Sequence, residues 1–215
     1  FEVEAVGGPI ETDRLHGAFE EAFARVWQGD AENDGFNRLV LGASLDWRQV
    51  AMLRGYCKYL LQTGVPFSQP YVEETLNRYP LLARLLVELF EARFDPRTGK
   101  ESKAEIRAGQ EHFAAQLRVL AQGDETALAA LRPILTAREG KREEQIETTH
   151  KALIKLLDRV SSLDEDRILR GFMGAIEATL RTSYYQLGSN GQPTHTISFK
   201  FDSARVPDLP KPRPY

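Results

Sequence analysis

Cysteine occurs once in the 215 residues, as Cys57, so no internal disulfide framework can form. A lone thiol inside the helical stretch "LRGYCKYLL" reads as a small buried hydrophobe and fits a reducing, cytoplasmic compartment. A surplus of charge is also missing. The 28 basic and 31 acidic side chains are interspersed and leave a net charge of −3, so no basic face is set aside for phosphate backbones and nucleic acid is not an expected partner. Long hydrophobic runs are absent too. The most apolar stretch, "YPLLARLLVELFEARF", is broken by Arg84, Glu88 and Glu91 and is too short and too charged to span a bilayer, so no membrane partner is expected.

The motifs that carry common chemistry are lacking as well. No Gly-x-Gly-x-x-Gly can hold a dinucleotide, and no Gly-x-Ser-x-Gly marks a hydrolase nucleophile. "RTGK", Arg97 to Lys100, resembles the end of a phosphate loop, but the spaced first glycine, the following Ser/Thr and the preceding strand are missing, so it reads as a turn. Glu147 and His150 form one Glu-x-x-His, the helical spacing of di-iron carboxylate bundles. Such a site needs a second pair, and His16, His112 and His195 have no glutamate three positions earlier. No residue is therefore assigned a catalytic, cofactor-binding or metal-binding role.

What is present is helical periodicity. Apolar residues make up 42% of the chain and charged residues 27%, and a chain of this size buries roughly 70% of its unfolded surface. "FEVEA" followed by "VGGP" reads as the end of a short strand entering a turn. From Thr12 an amphipathic helix presents Leu15, Ala18, Phe19, Ala22, Phe23, Val26 and Trp27 and stops at Gly29. After a short apolar segment at Phe36, Leu39 and Val40, a second helix is expected with Ser44 as its cap and Gly64 as its stop. Ser68 caps a short helix, and Pro80 opens one whose rows Leu81/Leu85/Leu89 and Leu82/Leu86/Phe90 predict burial on most sides. Helices around Phe113 and Leu117 and after Asp124, the latter stopping near Pro133, come next, then a polar entrance from Thr136 into a helix at Ile146 to Val160.

A last helix is expected over "SLDEDRILRGFMGAIEATLRTSYYQ", with Ser162 and Glu165 as a capping box and a buried stripe of Ile168, Leu169, Phe172, Met173, Ile176 and Leu180. Gly171 and Gly174 in it imply a closely packed neighbour. Beyond the turn formers "GSNGQP", Ile197, Phe199 and Phe201 alternate with polar residues as a strand, and prolines 207, 210, 212 and 214 extend the tail. One strand cannot bury itself, so this one reads as an orphan whose sheet is missing. The fold class is mainly α: an irregular multi-helix bundle with an N-terminal strand remnant and a C-terminal strand plus Pro-rich tail.

Three blocks resemble the large bacterial NAD-specific glutamate dehydrogenases: Leu45 to Pro96, Ser162 to Gln186 ("SLDEDRILRGFMGAIEATLRTSYYQ") and Ser198 to Pro214 ("SFKFDSARVPDLPKPRP"). The resemblance implies that residues 1–11 close an ACT-like regulatory domain, 12–187 form a helical connecting module, and 188–215 begin the catalytic region, the chain being a middle piece cut at both ends. It implies a parent enzyme that oxidises L-glutamate with NAD to 2-oxoglutarate and ammonium, as a homo-oligomer, with the catalytic and NAD-binding residues beyond Tyr215. The piece itself is then inactive and without bound NAD, and its partners are other domains of the same chain. The alternative from another class is a non-enzymatic helical adaptor that offers Pro207 to Pro214 to a groove-type partner.

Overall fold

The computed structural model describes residues 12–189, 191–194, 196–206 and 209, with side chains from Gly17 onward. The expected strand at Phe1 to Ala5 and the Pro-rich tail lie outside the described residues. Within them the chain is mainly helical: α1 (Thr12–Gln28), a 3-10 turn (Gly35–Arg38), α2 (Leu39–Gly42), α3 (Trp47–Gln62), α4 (Gln69–Arg78), α5 (Pro80–Phe94), α6 (Lys103–Ala121), α7 (Glu125–Ala137), α8 (Arg142–Leu157) and α9 (Leu163–Ala178). Two short strands follow, β1 (Thr179–Thr182) and β2 (Phe199–Phe201).

The core centres on α5, where Leu82, Leu85, Leu86, Val87, Leu89 and Phe90 are all buried, as its double row requires. Helices α4, α8 and α9 pack around it, and Tyr56 of α3 meets its Phe90 ring. Helix ends follow local chemistry. Ser68 accepts a hydrogen bond from the Tyr71 amide and Asp124 from the amides of Thr126 and Ala127, while Gly29 (φ 81°) and Gly64 (φ 85°) take the left-handed conformation beyond α1 and α3.

Four expectations about helix ends are corrected. Ser44 does not cap α3; its own φ is 52°, and Asp46 caps the helix in a reciprocal box with Gln49. The box at Ser162 is only half made: the Ser162 hydroxyl accepts from the Glu165 amide, but the Glu165 carboxylate is drawn away to Arg78 and to the Tyr79 hydroxyl at 2.8 Å. Pro133 does not end α7, which continues to Ala137 because Leu131, Ile134 and Ala137 remain on a buried face. The helix from Leu163 stops at Ala178, well short of Gln186.

That last correction also supplies the strand's partner. Thr179 leaves the helix with ψ 125° while its hydroxyl donates back to the Ala175 carbonyl at 2.8 Å, and the following residues run as β1. β1 pairs antiparallel with β2, matching Thr179 with Phe201, Arg181 with Lys200 and Thr182 with Phe199. Leu180 is the extra residue of a bulge, which turns it outward to 54% exposure instead of into the expected stripe. β2 is thus not an orphan, although the ribbon has only these two strands among the described residues. Gly171 does face a neighbour, since an added Cβ would lie 3.7 Å from Leu60.

Candidate functional site

The place where the ribbon meets the helices is the most specifically built part of the molecule. Gly55, Tyr56 and Tyr59 share one face of α3, and Phe199 and Phe201 share one face of β2 through the two-residue repeat of a strand. The two faces interlock. The Tyr59 and Phe201 rings stack with centroids 3.9 Å apart, Tyr56 and Phe199 lie 4.6 Å apart, and Phe90 of α5 meets Tyr56 edge-on at 6.2 Å. Gly55 suits this approach, because a Cβ there would stand 3.0 Å from the Phe199 ring, closer than an ordinary contact.

Polar clamps fix the same contact. Tyr56, fully buried, shares a 2.8 Å hydrogen bond with the hydroxyl of Thr179 at the start of β1. Arg93 of α5 donates to the Glu177 and Thr179 carbonyls at 3.0 and 3.1 Å, satisfying acceptors that the end of α9 leaves open. Burial lowers the Arg93 pKa, with Glu177 opposing. From the first turn of α3, Arg48 donates to the Tyr184 carbonyl at 2.6 Å and the Thr194 carbonyl at 2.8 Å, and its guanidinium lies 4.9 Å over the Tyr184 ring. One arginine thereby holds both arms of the loop between the strands. Finally, the Asp202 amide donates to the Ala178 carbonyl at 2.8 Å.

A second network, buried at Arg84 and Glu88, lies on the other side of α5. Gln49 donates to Glu91 at 2.6 Å, Arg84 lies 3.3 Å from Glu91 and 3.5 Å from Glu88, and Arg138 donates to Glu88 at 2.5 Å. The Arg84 and Arg138 guanidinium groups stand 5.4 and 4.4 Å from the Phe113 ring of α6. Burial raises the pKa of Glu91, with Glu88 and Asp46 pushing the same way and Arg84 opposing.

The residues singled out for chemistry do not converge. Glu147 pairs with Lys151, while the His150 Nδ1 lies 3.2 Å from Glu177, and no group of metal-ligating side chains forms among the described residues. The Cys57 thiol is buried and pushed up to about 12, chiefly by that burial, so it is not a poised thiolate. Arg97 to Lys100 form a turn in which Arg97 pairs with Asp95. His195 and the side chain of His16 lie outside the description. The clamps Arg48 and Arg93 went unremarked in the sequence because neither belongs to a motif; their only signal is an arginine at the edge of an apolar helix face.

Family comparisons fall on the two sides of this joint. Residues 31–96 match the family model described as glutamate dehydrogenase, helical motif 3, and residues 152–215 match the model of the bacterial NAD-glutamate dehydrogenase catalytic domain. The chain is 40% identical over 205 residues to an NAD-specific glutamate dehydrogenase of Halomonas elongata, covering 95% of this chain and 10% of that protein. It is 37% identical to the Pseudomonas aeruginosa protein of the same description over 98% of this chain and 11% of that one, and 35% identical to the Mycobacterium tuberculosis protein over 91% and 10%. The chain belongs to the bacterial NAD-specific glutamate dehydrogenase family. It spans about a tenth of the length of these relatives. No solved structure matches it.

Membership in this family implies NAD, and the described residues do not fit it. No strand here enters a helix through a glycine-rich turn; β1 leaves a helix instead. An open groove of about 290 Å³ is lined by Arg78, Arg159, Tyr79 and Leu82 among others. Both arginines are already paired, Arg78 with Glu74 and Glu165 and Arg159 with Asp124 at 2.6 Å. The start of α7 beside the groove is likewise filled by the Asp124 carboxylate, so neither offers an anion site for a pyrophosphate. No helix among the described residues is long and apolar enough to cross a membrane.

Proposed function

We propose that this chain is the non-catalytic segment through which an NAD-dependent glutamate dehydrogenase joins its helical module to the first strands of its catalytic region. The parent reaction on this reading is the oxidative deamination of L-glutamate to 2-oxoglutarate and ammonium, with NAD reduced to NADH on residues outside this chain. One observation carries the proposal: the segment matching helical motif 3 and the segment matching the catalytic domain are packed together, through Tyr56, Tyr59, Phe90 and Arg93 on one side and Thr179, Phe199 and Phe201 on the other. A joint built of interlocked rings and buried clamps transmits displacement instead of absorbing it as a hinge.

A domain limit at residues 11/12, a cytoplasmic location and a homo-oligomeric parent belong to the same proposal, while the match of residues 152–215 to the catalytic-domain model favours a catalytic region that starts before β1 instead of at 188. The ribbon as the seed of a larger sheet belongs to it as well, since its outer edges carry backbone groups suited to further strands. The test uses the full-length gene product, assayed for glutamate-dependent reduction of NAD. Gly55→Ala, which disturbs the joint without touching reacting atoms, is expected to lower activity while the ability to bind NAD persists. A full-length protein that does not reduce NAD with glutamate, or a joint variant with unaltered turnover and regulation, would overturn the reading.

A further inference from the structure

The two outer edges of the ribbon are not equivalent. The Ser183 amide donates to the Ser198 carbonyl at 3.1 Å, so Ser183 and Ser198 face each other as a hydrogen-bonded pair. Such pairs alternate along an antiparallel ladder, which makes Arg181 and Lys200 the next one and turns the backbone groups of Thr182 and Phe199 outward. Beyond the bulge the Asp202 amide bonds to the Ala178 carbonyl, so those of Thr179 and Phe201 point outward as well. On the β1 edge Thr179 is already used: its amide donates to the Ile176 carbonyl, and its carbonyl accepts from Arg93 at 3.1 Å. On the β2 edge the amides and carbonyls of Phe199 and Phe201 have no partner among the described residues. Only the β2 edge is open along its whole length.

The outer face of the ribbon carries an uncompensated pair of charges. Arg181 and Lys200 stand directly opposite each other, both exposed, and neither makes an ion pair among the described residues. Like charges so placed destabilise a ribbon. Asp202, two residues beyond Lys200, does not relieve them, since its carboxylate accepts from the Ala204 amide at 3.1 Å.

We propose that the β2 edge takes a further strand of the parent's catalytic region, and that this strand sets an aspartate or glutamate opposite Lys200, between apolar residues beside Phe199 and Phe201. The open amides and carbonyls of the two phenylalanines supply the ladder, and the two-residue repeat fixes which side chains meet. Phe199 and Phe201 are half-buried against α3, so the partner's residues next to them continue one apolar layer. On the opposite face directly paired side chains stand about 5 Å apart. A basic residue there would lengthen the row begun by Arg181 and Lys200, whereas a carboxylate ends it in an opposite-charge pair. Residues 152–215, which contain both strands, match the catalytic-domain model, and the chain spans about a tenth of its relatives, so a strand of that same region continues an existing sheet. That attribution rests on the function proposed above; the acid-bearing strand on the β2 edge rests on the ribbon alone.

The test compares the full-length gene product with the 215-residue chain by hydrogen exchange read at single amides. The Phe199 and Phe201 amides are expected to exchange freely in the 215-residue chain and to slow by about a hundredfold or more in the full-length protein, while Thr182 at the other edge stays fast in both. Lys200→Glu reads the charge. In the 215-residue chain it sets an acid opposite Arg181 and is expected to raise the melting temperature by about 1–4 °C. In the full-length protein it sets acid against acid, and the slowing at Phe199 and Phe201 is expected to shrink by about tenfold while α5 amides stay protected. Phe199 and Phe201 amides that remain fast in the full-length protein, or slow only together with Thr182, would overturn the proposal. So would slowing that Lys200→Glu leaves intact, or slowing in the 215-residue chain that fades on dilution, the sign of a second copy on the edge. Failure of glutamate-dependent NAD reduction counts against the function proposed above and is read separately from the exchange pattern.

Discussion

The hydrogen bond between Tyr56 and Thr179 allows the joint to be tested in energies. The Thr179 hydroxyl has one proton and gives it to the Ala175 carbonyl at 2.8 Å, so Tyr56 must be the donor in the 2.8 Å bond between the two hydroxyls. Both residues are buried. Tyr56→Phe removes that donor and leaves the Thr179 proton satisfied, a loss of about 1 kcal/mol. Thr179→Val keeps the β-branched shape but strands the Tyr56 hydroxyl inside the core, which costs about 1–3 kcal/mol. In the double variant no stranded donor remains, so its cost is expected to fall below the sum of the single costs by about 1 kcal/mol. Urea unfolding followed by far-UV circular dichroism measures all four proteins, with equal m-values required for the comparison. Single costs that simply add, within about 0.5 kcal/mol, would refute the claim that this bond couples α3 to the ribbon.

Gly55→Ala, which on an open helix face would gain up to about 1 kcal/mol, is expected to destabilise by about 1–3 kcal/mol because of the Phe199 ring 3.0 Å away; a raised melting temperature would contradict the close approach. Glu91 holds its proton more tightly in the folded chain than its ordinary value of 4.5 allows. Its contribution therefore makes stability fall as pH rises from 4.5 through the higher folded value, and Glu91→Gln should flatten that decline in a pH series of urea midpoints. Cys57, buried and pushed up to about 12, should react with a thiol reagent only at the rate of unfolding; fast labelling of the native protein would contradict its placement.

The helical architecture was legible because the relevant signals are local. The double leucine row of α5, the Ser68 cap and the glycine stops at Gly29 and Gly64 each act within one or two turns of chain. The joint was not legible, since its partners are separated by more than a hundred residues: Arg48 reaches Thr194, and Tyr56 reaches Thr179. Nothing near Thr179 marks the switch from helix to strand except two β-branched threonines in "TLRT", and continued three-to-four spacing through Leu180 pointed the other way. The stripe of α1 shows the opposite limit: periodicity identified Phe19, Phe23 and Trp27 as one face, but that face is turned away from the core. Likewise Arg84 and Glu88 read as charges interrupting an apolar run, whereas each compensates the other inside the core.

The central claim is that helices and ribbon form one cooperative unit. Native-state hydrogen exchange of the Ser183 and Asp202 amides, which bond to Ser198 and Ala178 across the ribbon, compared with amides in the middle of α3 and α5, tests it most directly. Exchange of both sets at the same opening free energy, with the same denaturant dependence, is the predicted result. Ribbon amides that exchange through a low-energy local opening while α3 and α5 stay protected would contradict it.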